Sequence, residues 1–298
     1  MLFDRQKCLL ALVKTLGDNV SNMDFQKLLF LYCTEFEDKP SYEFVPYRFG
    51  SFSFTSYADK RRLIERGLLV DHDNIWKLSD VGKVAGEVLP STKERMMQFA
   101  RKHAGLRGDE LVAETYRRHP YYAIRSEMAT RLLASDRRAL AAVKSARPAK
   151  RTAAVCTIGY EGRSLESYLN VLIQNAITVL CDVRRNPLSR KYGFSKATLA
   201  KGCEGVGIQY VHVPELGIAS EFRRNLDSQA DYDALFEFYE RETLPQQSTH
   251  LDRIKQWVVD DERVALTCFE RLPQQCHRSC VANAMNKKFG REFKPEHL

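Results

Sequence analysis

Apolar positions in the first ninety residues recur at helical spacing, whereas after residue 152 they gather into short unbroken runs. Residues 3–16 set Leu9, Leu10, Leu12, Val13 and Leu16 on one helical stripe, and Ser21 with Asn22 supplies the cap of a second amphipathic helix over residues 23–35. Residues 42–53 are aromatic, broken by Pro46 and Gly50, and lead into a third helix that runs to about residue 66. The apolar runs 67–70 and 75–78 flank a turn-rich tetrapeptide, which predicts a wing-like hairpin, and Ser79 with Asp80 caps a fourth helix. This order predicts a winged-helix-like α+β domain over residues 1–90. Residues 91–150 read as a helical connector with a break at 119–122, and the charged, Pro148-containing stretch 145–152 reads as the interdomain linker.

Residues 153–158, 177–181, 208–213 and 264–268 are β-rich runs separated by amphipathic helical stretches. Runs of that length alternating with helices predict parallel strands buried on both faces. Residues 151–298 are therefore expected to form a three-layer α/β domain with a mainly parallel sheet.

Hydrophobic residues at 44% and charged residues at 28% match a folded globular chain. No run approaches the ~20 apolar residues that span a bilayer, so neither a membrane span nor a secretory signal is expected. Eight scattered cysteines, three of them within apolar runs, suit reduced thiols in a cytoplasm. Of the net charge of +8, residues 101–151 carry the equivalent of the whole, with 13 lysines and arginines against 5 acidic residues. A basic stripe of this kind suits a polyanion partner, and it equally suits a solvated helix face.

In open parallel sheets ligands bind beyond the carboxyl ends of the strands. After the first run, Tyr160, Glu161 and the Gly159–Gly162 turn precede Ser164, a helix cap that leaves backbone N–H groups for an anion. After the second come Asp182, Arg184, Arg185, Ser189, Arg190 and Phe194. An acidic residue among arginines is either an acid, base or orienter beside phosphate-binding arginines, or a structural ion pair that orders its loop. Glu215 and Gly217 follow the third run. After the fourth come Glu270 and then Cys276, His277, Arg278 and Ser279, at an expected helix N-terminus that would lower a thiol pKa and attract phosphate. Three cysteines and a histidine lie within 13 residues there, yet the spacing Cys268, Cys276, Cys280 lacks the close pairs of a zinc motif, so no metal and no cofactor is expected.

These strings, T-I-G-Y-E-G at 157–162, D-V-R-x-x-P-x-S-R at 182–190, Y-x-H-x-P-x-L-G at 210–217 and C-F-E followed by C-H-R-S at 268–279, resemble the bacterial domain of unknown function family 488 over about residues 153–290. The resemblance implies an α/β fold and places the site at the strand ends; it implies no particular reaction. Gln26 to Leu31 together with Tyr47 to Ser53 resembles Panacea-type antitoxin and regulator domains, with Ser51 where those usually carry proline. Rhodanese-like domains share the early D-V-R and the later Cys-containing loop, although the interval from Cys268 to Arg278 is longer than their loop.

Three functions fit these residues. In the first, a nucleic-acid-directed hydrolase, more naturally of DNA than RNA, cleaves an N-glycosidic or phosphodiester bond, in DNA processing or phage defence. There Arg184, Arg190 and Arg278 bind phosphate, Asp182 and Glu270 supply acid-base work, and Tyr160 or Phe194 stacks a base. In the second, Cys276 is a nucleophile activated by His277 or the helix terminus. In the third, a non-catalytic regulator senses an acidic ligand and binds an operator.

Overall fold

The computed structural model describes residues 1–223 and 227–298, in two compact units, Met1–Arg147 and Pro148–Leu298.

The N-terminal unit runs α1 (Asp4–Thr15), β1 (Asn19–Ser21), α2 (Asn22–Glu35), β2 (Val45–Tyr47), β3 (Gly50–Phe52), α3 (Phe54–Glu65), β4 (Ile75–Lys77), α4 (Asp80–Ala85), α5 (Pro90–Lys102), α6 (Gly108–Arg118), α7 (Ala129–Leu132) and α8 (Arg137–Ser145). Ser21, Ser53 and Ser79 cap α2, α3 and α4 by accepting the N–H groups of Asp24, Ser56 and Gly82. Helix α2 buries residues around its whole circumference, so it runs through the core between Leu9, Leu12, Trp76 and Phe99. Met96, Phe99 and Leu111 join that core, so helices α5 and α6, read from the sequence as connector, pack within this unit.

The predicted hairpin takes another form. Strand β4 pairs antiparallel with β1, and residues 67–70 keep an isolated bridge from Leu69 to Leu78. The register sets Val20 opposite Trp76, and both are buried, so an apolar cross-strand pair favours β1 as partner. Strands β2 and β3 form an antiparallel hairpin in the aromatic stretch. Gly50 has φ +90°, and a Cβ there would stand 2.5 Å from Tyr116 Cε1, so the turn requires glycine. Part of the basic stripe is internally neutralised, by Arg118 on Glu35 at 2.8 Å, Arg131 on Asp109 at 2.7 Å and Arg117 on Asp136 at 3.2 Å.

The C-terminal unit runs β5 (Ala154–Gly159), α9 (Leu165–Gln174), β6 (Val179–Asp182), α10 (Lys196–Gly205), β7 (Gln209–His212), α11 (Gln229–Phe238), α12 (Ser248–Val259), β8 (Arg263–Cys268), α13 (Arg278–Phe289) and β9 (Glu296–His297). All the strand pairs are parallel, in the order β7-β6-β8-β5-β9. This is the mixed α/β fold with a parallel sheet that the apolar runs predict. Strand alternation sends Leu266 into the core of α12 and α13, with Leu251, Ile254, Val281 and Met285. The next residue, Thr267, accepts from the Tyr168 hydroxyl of α9 at 2.7 Å on the opposite face, which gives the three layers. Strand β9 has two exposed polar residues, which no apolar pattern would reveal; it is held by Thr157 Oγ1 to His297 Nδ1 at 2.7 Å and by an ion pair of Glu296 with Arg263.

Candidate functional site

The carboxyl ends of β5, β6 and β8 meet around a cleft of about 330 Å³. It is lined by Tyr160, Arg184, Arg185, Ser189, Arg190 and Glu270, all expected from the sequence, and by Asn186, Leu188, Ile218, Cys268 and Phe269. Two glycines make the convergence possible. A Cβ on Gly159 would fall 1.9 Å from the Glu270 carbonyl oxygen, and one on Gly217 would fall 2.1 Å from the Arg185 nitrogen. Each loop therefore lies directly on the backbone of its neighbour.

Asp182 ends β6 fully buried and is saturated with donors. Arg184 reaches it with Nε at 2.8 Å and NH2 at 2.5 Å, and the Tyr210 hydroxyl donates at 2.6 Å. Burial opposes the charge on Arg184, but the carboxylate holds its pKa above the ordinary value; burial and the same carboxylate push the Tyr210 hydroxyl up. Arg184 also donates to the Tyr160 hydroxyl at 3.0 Å and to the Phe194 carbonyl at 2.8 Å. His212 Nε2 lies 2.9 Å from the Arg184 carbonyl oxygen. Asp182 does not line the cleft. Of the two readings open for this carboxylate, the geometry is that of the structural ion pair, holding Arg184 and the loop behind it.

Phe194 stacks on Tyr160, with ring centroids 4.3 Å apart and planes 7° from parallel, and Phe269 meets Tyr160 edge-on at 5.3 Å. Phe194 is buried, so it supports Tyr160 from behind, whereas Phe269 and Leu188 are exposed at the cleft. Arg185, Asn186 and Arg190 are exposed as well, so the rim combines two cations, an amide and apolar surface.

The other expected residues lie outside the lining. Arg278 is 1% exposed and spends NH1 on the Glu270 carbonyl at 2.5 Å and NH2 on the Arg271 carbonyl at 3.1 Å. It fixes the loop after β8, so as placed it meets no phosphate. Ser279 donates to the Pro273 carbonyl at 2.7 Å, and Glu161 accepts the Arg271 N–H at 2.9 Å. Glu215 is exposed beyond β7. Helix α13 begins at Arg278, and Cys276 precedes it as a buried residue. Burial, then Cys268 and Glu270, push the Cys276 thiol well up, which reverses the lowering expected of a helix terminus. Desolvation outweighs the dipole because the thiol has left solvent.

Tyr210, His212 and Cys268 were missed as site residues. Tyr210 and His212 are two apart on β7 and so share a face, a signal the sequence did carry in the Y-x-H string. Cys268 Sγ lies 3.4 Å from Glu270 Oε2 and 3.6 Å from His277 Nδ1, and His277 Nε2 lies 2.9 Å from the Val183 carbonyl.

Among the described residues, no helix is long and apolar enough to cross a membrane. No curated protein and no solved structure matches the chain. Residues 164–285, from the cap of α9 into α13 and spanning three of the four motifs quoted above, match the family model described as Domain of unknown function DUF488.

Proposed function

We propose that the cleft binds a phosphate-bearing segment of nucleic acid, DNA by preference, and that the protein hydrolyses an N-glycosidic or phosphodiester bond in it, with Glu270 as the acid-base group. The observation that carries this reading is the juxtaposition, in one cleft, of exposed Arg185 and Arg190 with the exposed Phe269 ring, backed by buried Tyr160, and the Glu270 carboxylate. Arginine forks take phosphate oxygens, an aromatic wall takes a base or sugar face, and a carboxylate moves a proton. The stretch over residues 91–150, read as a basic helical connector behind a winged-helix-like module, adds phosphate contacts from Arg137, Arg138, Lys144 and Arg147, exposed on and just beyond α8. The setting is the cytoplasm, in DNA processing or phage defence; eight free cysteines accord with a reducing compartment.

A thiol reaction at Cys276 is weaker, because a buried thiol with a raised pKa is a poor nucleophile. The deciding experiment measures DNA binding by the full chain across a salt series, with turnover on a panel of modified and unmodified DNAs. Arg185→Ala/Arg190→Ala should lower the salt slope by roughly 1 to 2, at about 0.9 per phosphate contact. Glu270→Gln should keep binding and lose turnover. Salt-independent binding, or an unchanged slope in the double variant, would sink the reading. Sequence-specific binding with every property intact in Glu270→Gln would favour a ligand-sensing regulator.

A further inference from the structure

Cys268 ends strand β8, and Cys276 and His277 occupy the turn into α13, yet their three donor atoms lie within 4.8 Å of one another. All three side chains are buried, at 1%, 1% and 0% exposure. Plain packing explains buried cysteines; it does not explain why two sulfurs and an imidazole nitrogen should converge on one point.

Two further observations give the convergence a ligand-like form. Zinc holds sulfur at ~2.3 Å and nitrogen at ~2.0 Å, so tetrahedral ligands stand about 3.5 Å apart for an S,N pair. The Cys268 Sγ to His277 Nδ1 separation is 3.6 Å. His277 Nε2 lies 2.9 Å from the Val183 carbonyl, which can only accept, so Nε2 carries the proton and Nδ1 presents its lone pair to the sulfurs. A backbone carbonyl fixing the tautomer of a ligating histidine is the usual outer-shell arrangement.

We propose that Cys268, Cys276 and His277 bind a zinc ion through two thiolates and Nδ1, at the back of the cleft. Soft sulfur with imidazole in a tetrahedral set selects zinc over hard cations such as magnesium. On binding, each thiol gives its proton to solvent and the histidine gives none, so two protons leave for each Zn²⁺ taken up. The fourth position lies on the side of Glu270, whose Oε2 is 3.4 Å from Cys268 Sγ and which lines the cleft with Cys268. Three protein ligands with a fourth position on a cleft is the pattern of a zinc that acts on substrate rather than one that only staples the fold. Cys280 stands apart, in the core formed with α12, which is why a search for paired cysteines fails: the third ligand is the histidine adjoining Cys276. The site stands on its own donors, whatever the cleft binds.

The test is metal content by mass spectrometry of the full chain, purified under reducing conditions, incubated with zinc and desalted, together with a cobalt titration of chelator-treated protein. Expected are one zinc per chain and a tetrahedral cobalt spectrum with thiolate-to-cobalt charge transfer. Cys268→Ser and Cys276→Ser should each weaken zinc binding at least tenfold, while Cys280→Ser, buried in helix α13, keeps it. Should the two cluster variants fail to fold, the wild-type cobalt spectrum decides alone. Substoichiometric zinc, a cobalt spectrum without thiolate charge transfer, or equal loss in Cys280→Ser would overturn the site. Because metal uptake is read without any nucleic acid, its failure is distinct from failure of the DNA reading.

Discussion

Arg184 and Asp182 lie two positions apart and close on each other as a buried fork, Nε to Oδ1 at 2.8 Å and NH2 to Oδ2 at 2.5 Å. Removing one member of such a pair strands a buried charge. Arg184→Met should therefore destabilise by about 3–5 kcal/mol, and Asp182→Asn by a comparable amount. The double variant should cost clearly less than the sum, as read by urea unfolding in a double-mutant cycle. Additive losses would mean that the two side chains do not act as a unit.

Gly159 is held where a Cβ would lie 1.9 Å from the Glu270 carbonyl oxygen. Gly159→Ala should push back the loop after β8, with a stability loss of about 1–3 kcal/mol from overpacking. Cleft ligands should weaken in parallel. Wild-type stability and binding in this variant would show that the loop gives way freely.

Lys27 is buried, donates to the Ser51 carbonyl at 2.9 Å, and has its pKa pushed down to about 7 by burial. In the unfolded chain it titrates near 10.4, so between pH 7 and about 10.4 the unfolded state binds more protons and stability from this residue rises with pH. Below pH 7 both states are charged and the full burial penalty is felt. Lys27→Met should gain most over wild type at pH 6, and the difference should shrink toward pH 10 by at most ~1.4 kcal/mol per unit. Urea unfolding at pH 6, 8 and 9.5 checks this; a pH-independent difference would refute it.

Phe194 and Phe269 both touch Tyr160, but only the first is buried. Phe194→Ala should cost about 3–5 kcal/mol. Phe269→Ala should stay within ~0.5 kcal/mol of wild type while weakening the cleft for aromatic ligands. Thermal melts and ligand titration separate the two effects.

Strands β5, β6 and β8 were legible because a strand buried on both faces must be written almost wholly in apolar residues, as at 264–268; β7 was found through its buried flanks Ile208 and Val213, although its own residues are at most partly buried and Gln209 is exposed. Strands β1 and β9 were not, since three or two residues carry no period and Glu296 and His297 are exposed. Arg185, Arg190 and Glu270 were found at the cleft by their place after strands. Arg278 was read as a phosphate ligand, because a sequence cannot tell an exposed guanidinium from one folded back on two carbonyls. The meeting of Cys268 with His277 was hidden because it depends on how the loop over residues 269–276 doubles back, which no spacing rule encodes.

The strand order β7-β6-β8-β5-β9 also constrains when the unit can form. Strand β5 emerges first from the ribosome, yet its ladder partners are β8 and β9, more than a hundred residues downstream. Until those residues appear, β5 is an apolar segment with two unpaired edges, exposed to wrong partners in the interval. The cleft at its end needs β8, so a nascent chain interrupted before residue 263 carries neither the sheet centre nor the cleft.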